Sequence, residues 1–191
     1  MALDSMKIFD TVEQHFKIAL TEDEVDESNT VGEIADAVCR HITFNGAGKS
    51  KHEMMFDLLY DYIPLEFGHP AEEFSLSTVL RDFMPVARAQ MYWDKLAADF
   101  DIELPMLKPA DINPRISADS LLQGESLRDN TINDLINWIL ALNYEKLIAV
   151  NKLVNKEEVE RVVTGIVNEI TGIGVEDIEP HHDMAKDLGI R

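Results

Sequence analysis

The stretch that decides the fold is FKIALT at residues 16–21, because a similar stretch, FDIELP, returns at residues 100–105. Upstream of both stretches the apolar residues follow helical spacing, and Phe9 has its counterpart in Trp93 at the same offset of 84. The sequence therefore predicts an internal repeat in which a helix ends in an extended exit.

A second pair of matching segments follows the two copies of this exit. Residues 30–38 (TVGEIADAV) parallel residues 131–139 (TINDLINWI) at an offset of 101, so the second copy carries 17 extra residues. The extra residues fall within residues 106–127, where proline, aspartate, asparagine and serine predict an inserted surface loop. In the first copy, Thr30 and Glu33 have the spacing of a capping box and predict the start of a helix.

Apolar residues recur at spacings of three and four along the whole chain, and the alternation typical of strands is nearly absent. This pattern predicts an all-α fold with no convincing strand. The predicted helices cover residues 3–16, 30–38, 54–63, 86–100, 131–142 and 157–170, and the last of them ends at Gly172.

Composition and charge limit the classes of function. Apolar residues make up 46% of the 191 residues, which predicts a folded chain, and the net charge of −19 would repel nucleic acid and anionic membranes. The same charge favours protein partners with basic patches. No apolar run approaches the ~18 residues of a membrane span. The lone cysteine, Cys39, cannot form an internal disulfide and predicts a cytoplasmic protein.

The predicted elements resemble those of the acyl carrier protein family. They are a helix, a long loop, a second helix, the exit stretch, an acidic turn and a capped last helix. Residues 52–142 resemble a complete copy. Residues 156–191 resemble the first helix and long loop, and the DLGI at residues 187–190 is similar to the approach to the family's Asp-Ser-Leu attachment motif. Residues 1–42 resemble the remainder of that domain. The resemblance implies two four-helix-bundle carrier-like domains, one of them split across the two ends of the chain.

Two segments connect the implied domains. Residues 43–51 (TFNGAGKSK) are predicted to be a flexible linker, and residues 143–155 are predicted to be a connecting helix. The sequence leaves open whether the two ends meet within one chain, as in a circular permutant, or between two chains in a domain-swapped homodimer.

The family attaches phosphopantetheine to a serine at the start of its second helix. Counting back from Phe16 by the family's spacing places Ala2 at that position, and Val86 occupies it in the second copy. Ser5, in the sequence Asp-Ser-Met at residues 4–6, imitates the family motif and is the candidate attachment residue. The resemblance thus implies a carrier of acyl or peptidyl groups, as in fatty acid or polyketide biosynthesis. The alternative is an unmodified pseudo-carrier that acts as a helical scaffold or protein-binding module.

The resemblance also implies the partners, which are acyl-transfer or synthase enzymes with basic patches and a phosphopantetheinyl transferase. The candidate partner-binding residues are Asp4, Asp10, Glu13, Glu22, Asp23, Glu24 and Asp187. No catalytic side chains pair at a fixed spacing, so we expect the chain not to be an enzyme. Residues 181–187 contain histidine and aspartate, but this stretch is predicted to be an acidic loop rather than a metal site.

Overall fold

The computed structural model of the chain describes residues 3–113 and 126–190, and these residues are predominantly helical without a β-strand. The all-α prediction is confirmed for this part of the chain. The α-helices are α1 (Leu3–Phe16), α2 (Glu22–Glu27), α3 (Val31–His41), α4 (Lys51–Phe67), α5 (Ala89–Phe100), α6 (Pro109–Ile112), α7 (Ile132–Leu142), α8 (Tyr144–Leu147) and α9 (Lys156–Thr171). Within the described ranges, none of them combines the length and apolar character that a membrane crossing needs.

The chain folds into two compact units. Unit 1 combines Met1–Lys51 with Leu140–Arg191, and unit 2 is His52–Ile139. Unit 1 therefore draws on both ends of one chain, so a domain-swapped dimer is not needed to complete it. Unit 1 also includes residues 43–51 and 143–155, which the sequence predicts to be connections between the two domains.

The core of unit 1 is built around α9, which contacts both α1 and α3. The helix begins after Asn155, whose side-chain oxygen accepts a hydrogen bond from the Glu158 amide at 3.1 Å, and it ends at Gly172, whose φ of +73° suits glycine. One face of α9 is fully buried and consists of Val159, Val162, Val163, Ile166 and Val167.

The core of unit 2 is formed by one face each of α4, α5 and α7. Its buried side chains include Met55, Leu59, Ile63, Tyr92, Trp93, Leu96, Ile132, Leu135, Ile136 and Ile139. They recur at spacings of three and four, as expected for helices that bury a single stripe.

The exits of α1 and α5 share one backbone geometry. Each helix is followed by a non-glycine residue with positive φ, 57° at Lys17 and 52° at Asp101. The next amide donates to the carbonyl five residues back, at 3.1 Å for Ile18 and 3.0 Å for Ile102. These pairs are separated by the offset of 84 seen in the sequence, so the repeat is present in the backbone as well.

The starts of α3 and α7 are also equivalent. At α3, the Glu33 carboxylate accepts from the Thr30 amide at 2.9 Å, and the Thr30 hydroxyl accepts from the Glu33 amide at 3.2 Å. At α7, Asp134 and Thr131 make the same reciprocal pair at 2.9 and 3.3 Å. Each cap thus satisfies two amides that a helix start leaves without partners.

Residues 43–51 are not the flexible linker expected from their glycine and serine content. The Gly46 amide donates to the Leu153 carbonyl at 2.9 Å, and a Cβ at Gly46 would lie 2.5 Å from the nearest backbone oxygen. The Lys51 amide donates to the Glu158 carboxylate at 2.8 Å. Gly46 therefore permits two backbones to approach closely within unit 1, which is a packing role rather than one of flexibility.

The expected connecting helix at residues 143–155 is also corrected. Only the four residues of α8 are α-helical, and a 3₁₀ turn follows at Val150–Lys152. Ile148 and Leu153 are both buried, at 3% and 1% exposure. Positions five apart lie on different sides of an α-helix, so a continuous helix would bury one of them and expose the other.

The ends of the inserted loop are ordered by a buried carboxylate, contrary to the expectation of a solvated surface loop. Asp111, in α6, is 0% exposed. It accepts hydrogen bonds from the Ser126 hydroxyl at 2.5 Å, the Arg128 amide at 3.2 Å and the Lys108 amide at 2.8 Å. The middle of the loop, residues 114–125, lies outside the described residues.

Candidate functional site

A groove between α1 and α2 is the candidate functional site of unit 1. It encloses about 330 Å³, which is at the lower end of the range of small-molecule sites. Its lining combines four apolar and four acidic side chains, which are Met6, Phe9, Leu20, Val25, Asp10, Glu13, Glu22 and Asp26. The groove therefore offers an apolar surface with carboxylates around it.

The exit of α1 shapes this groove. After the reversal at Lys17, the Leu20 amide donates to the Glu13 carboxylate at 2.6 Å, which ties the exit segment back to α1. The sequence predicts that Glu13 binds partners, but in the structure its carboxylate fixes the backbone at Leu20.

Glu24 is engaged inside unit 1 in a similar way. Its carboxylate accepts from the Thr21 amide at 3.0 Å, from Arg40 at 3.0 Å and from His41 at 2.9 Å. The Thr21 amide, followed by His41 and Arg40, lowers the pKa of Glu24 to about 2. This residue of the expected docking face thus joins α2 to α3.

A second cavity of about 150 Å³ lies beside the groove. It shares Phe9, Val25 and Asp26 with the groove and extends to Ser5 in the first turn of α1. Ser5 is half-buried. The rest of the cavity is lined by Ser28, Asn29, Asp183, Met184, Ala185 and Ile190. The two ends of the chain therefore form this cavity together.

The C-terminal segment is held in place by its backbone. The Met184 amide donates to the Asn29 carbonyl at 2.9 Å, and the Asp183 amide donates to the Asp187 carboxylate at 2.8 Å. Asp187, expected to bind partners, thus closes a turn that directs Ile190 into the second cavity, where it is 5% exposed.

The other expected docking residues are placed as follows. Asp10, Glu22 and Asp23 are exposed, and Asp10 and Glu22 line the groove. Asp4 is half-buried and lies 4.0 Å from the Lys7 ammonium. Ala2, at the family's serine position, lies outside the described residues.

Asp26 lines both cavities although the sequence reasoning did not single it out. The sequence signal that could identify Asp26 is its position four residues after Glu22 on the same helix, because this spacing places the two carboxylates on one face.

The equivalent region of unit 2 differs in chemistry. Trp93 replaces Phe9, is 6% exposed and donates its indole N–H to the Pro105 carbonyl at 2.7 Å. Ala97 stands at the position of Glu13 and Ala89 at that of Ser5, and Val86 at the family's serine position has no hydroxyl. Unit 2 therefore repeats the helix exit and the helix cap of unit 1 but lacks the serine and this carboxylate.

The histidine and aspartate stretch near the C-terminus makes local hydrogen bonds. His182 Nδ1 accepts from the Glu179 amide at 3.1 Å, and Lys186 pairs with Asp183 at 2.9 Å. Among residues 3–113 and 126–190, no three histidine, cysteine, aspartate or glutamate side chains converge as a metal site would need.

Comparisons with protein-family models, with curated proteins and with solved structures find no match.

Proposed function

We propose that the protein is an acyl carrier-like protein in which unit 1 carries the group. Each unit is then a four-helix carrier-like bundle, formed by α9, α1, α2 and α3 in unit 1 and by α4, α5, α6 and α7 in unit 2. The shared helix exits at Lys17 and Asp101 and the shared caps at Thr30 and Thr131 support this assignment.

The observation that carries the proposal is the common wall of the two cavities. Phe9, Val25 and Asp26 line both, so the space beside Ser5 adjoins the groove between α1 and α2. A group attached at Ser5 would thus lie next to a site of about 330 Å³, half of whose lining side chains are apolar. Burial of an acyl chain there would gain roughly 0.8 kcal/mol for each methylene removed from water.

Ser5 supplies the hydroxyl that phosphopantetheine attachment needs, three residues after the family's serine position at Ala2. Phosphopantetheine supplies a flexible arm whose terminal thiol holds an acyl or peptidyl group as a thioester. Ser5 would hold the arm by a phosphodiester through its hydroxyl oxygen, and Met6, Phe9 and Val25 would exclude water from the chain. The equivalent region of unit 2 does not fit, because Ala89, at the position of Ser5, and Val86, at the family's serine position, offer no nucleophile.

The rim of the groove accounts for the choice of partner in this proposal. Asp10, Glu22, Asp23 and Asp26 are exposed carboxylates on α1 and α2. Basic patches on acyl-transfer or synthase enzymes and on a phosphopantetheinyl transferase would be steered to this rim, and the attraction would weaken as salt increases. In this function the chain is a carrier rather than an enzyme.

The test is the intact mass of the full chain after incubation with a broad-specificity phosphopantetheinyl transferase and coenzyme A. We expect the mass to rise by one phosphopantetheine group and fragment spectra to place the group on Ser5. Ser5→Ala should abolish the gain, whereas the control Ser77→Ala in unit 2 should keep it. A group found on Ser75 or Ser77, or retained by Ser5→Ala, would contradict the attachment site.

A second function is favoured by one specific observation, which is that Ala2 and Val86 occupy the family's serine positions. In this alternative the protein is an unmodified pseudo-carrier that docks basic partners through the groove of unit 1. The mass experiment separates the two functions, because the pseudo-carrier gains no mass while its groove remains able to bind a cationic partner.

A further inference from the structure

The long first helix of unit 2, α4, is apolar on two sides that lie roughly 120° apart around its axis. Its inner side consists of Met55, Leu59 and Ile63, which are at most 6% exposed. A helix that packs on one side against its own core normally presents polar residues on the other side. The outer side of α4 departs from this rule.

The outer apolar stripe of α4 consists of Met54, Leu58 and Leu65, which are 46%, 49% and 79% exposed. At about 100° per residue, the three Cα atoms lie within roughly 40° of one another around the helix axis. At about 1.5 Å per residue they span roughly 16 Å, or three turns. The stripe is therefore long enough to take one short helix or extended segment.

The surroundings of the stripe are acidic. Four acidic residues of α4, Glu53, Asp57, Asp61 and Glu66, stand against one lysine, Lys51, and Lys95 of α5 pairs with Glu66 at 3.3 Å. Asp61 falls between Leu58 and Leu65 on the same side of the helix, and Asp57 falls next to it. A cationic partner would gain from this field, whereas a second copy of the chain or an anionic membrane would be repelled by it.

We propose that the outer face of α4 binds an amphipathic basic helix of another protein, with apolar side chains against Met54, Leu58 and Leu65 and lysine or arginine residues near Asp57 and Asp61. This surface belongs to unit 2 and is independent of Ser5 and the groove of unit 1. The carrier proposal would leave unit 2 without a role, and this surface gives it one as a docking module.

The probe is a synthetic helical peptide of leucine and lysine with its leucines on one face. The control peptide has the same composition, but its leucines are spread around the helix. Titration of the isotope-labelled full chain followed by nuclear magnetic resonance should shift the signals of Met54, Leu58 and Leu65 with the first peptide and not with the control. Leu58→Gln with Leu65→Gln should weaken this binding about tenfold or more, because two apolar contacts are lost.

The matched control variant is Met91→Gln on α5, which alters another methionine of unit 2 that is 55% exposed and should leave the affinity unchanged.

Three results would overturn the proposal. The first is equal binding of both peptides, since charge alone would then explain it. The second is self-association of the chain that the double substitution removes. The third is binding of anionic lipid vesicles through α4.

Discussion

Removing residues 156–191 should unfold the rest of unit 1, and the amides of residues 31–38 should then exchange with solvent at the rate of an unstructured chain. The reason is that α9 supplies five fully buried side chains to a core shared with α1 and α3. At about 1.5–3 kcal/mol for each buried side chain, their loss removes roughly 8–15 kcal/mol, which is comparable to the whole stability of a domain.

Hydrogen exchange measured by mass spectrometry on the truncated chain checks this expectation. The amides of residues 135–139 in unit 2 should keep their protection and serve as the internal control. A milder variant, Ile166→Ala, should cost about 2–5 kcal/mol because Ile166 is 0% exposed. The exposed Glu157→Gln on the same helix should change stability by less than about 0.5 kcal/mol. Full protection of residues 31–38 without α9 would show that the split unit is wrong.

Asp111→Ala should be the most damaging single substitution among the polar residues of unit 2. It leaves the Ser126 hydroxyl and the amides of Lys108 and Arg128 without their acceptor in a site where Asp111 is 0% exposed. A buried donor without a partner costs about 1–3 kcal/mol, so the expected loss is ~3 kcal/mol or more. Ser126→Ala removes only one of the donors and should cost about 1 kcal/mol.

Urea unfolding followed by tryptophan fluorescence measures this effect cleanly. The chain has two tryptophans, Trp93 and Trp138, and both belong to unit 2. A midpoint for Asp111→Ala that matches the wild type would mean that the carboxylate does not hold the ends of the loop together.

The helices could be predicted from the sequence because their apolar stripes and caps are local signals. The repeat of FKIALT as FDIELP predicted an extended exit in both copies, and the two positive φ angles at Lys17 and Asp101 occur at that exit. Thr30 and Glu33 predicted the start of α3, since a capping box needs only residues three apart.

The buried role of Asp111 could not be predicted in the same way. Its partner Ser126 is 15 residues away, and a short polar residue among prolines has the same sequence signature whether it is solvated or buried. The packing of Gly46 could not be predicted for a related reason, because a glycine among polar residues predicts flexibility, whereas the backbone that Gly46 contacts belongs to a segment about one hundred residues later.

The candidate site was predictable only in outline. The acidic residues Asp10, Glu22 and Asp23 are exposed as their helical positions indicate. The use of Glu24 within unit 1 depends on Arg40 and His41, which lie 16 and 17 residues further on. Contacts at that separation are set by helix packing, and hydrophobic periodicity alone does not specify them.

The measurement that tests most directly whether the two ends of one chain build unit 1 is a distance between spin labels at those ends. The labels would be placed on Glu27→Cys and Ala185→Cys in a Cys39→Ser background, because both positions are exposed and adjoin the 2.9 Å hydrogen bond between the Met184 amide and the Asn29 carbonyl. We predict a single short distance that persists when labelled protein is diluted into an excess of unlabelled chains. Loss of this distance on such dilution would show that the ends meet between chains, and absence of any short distance would show that they do not meet.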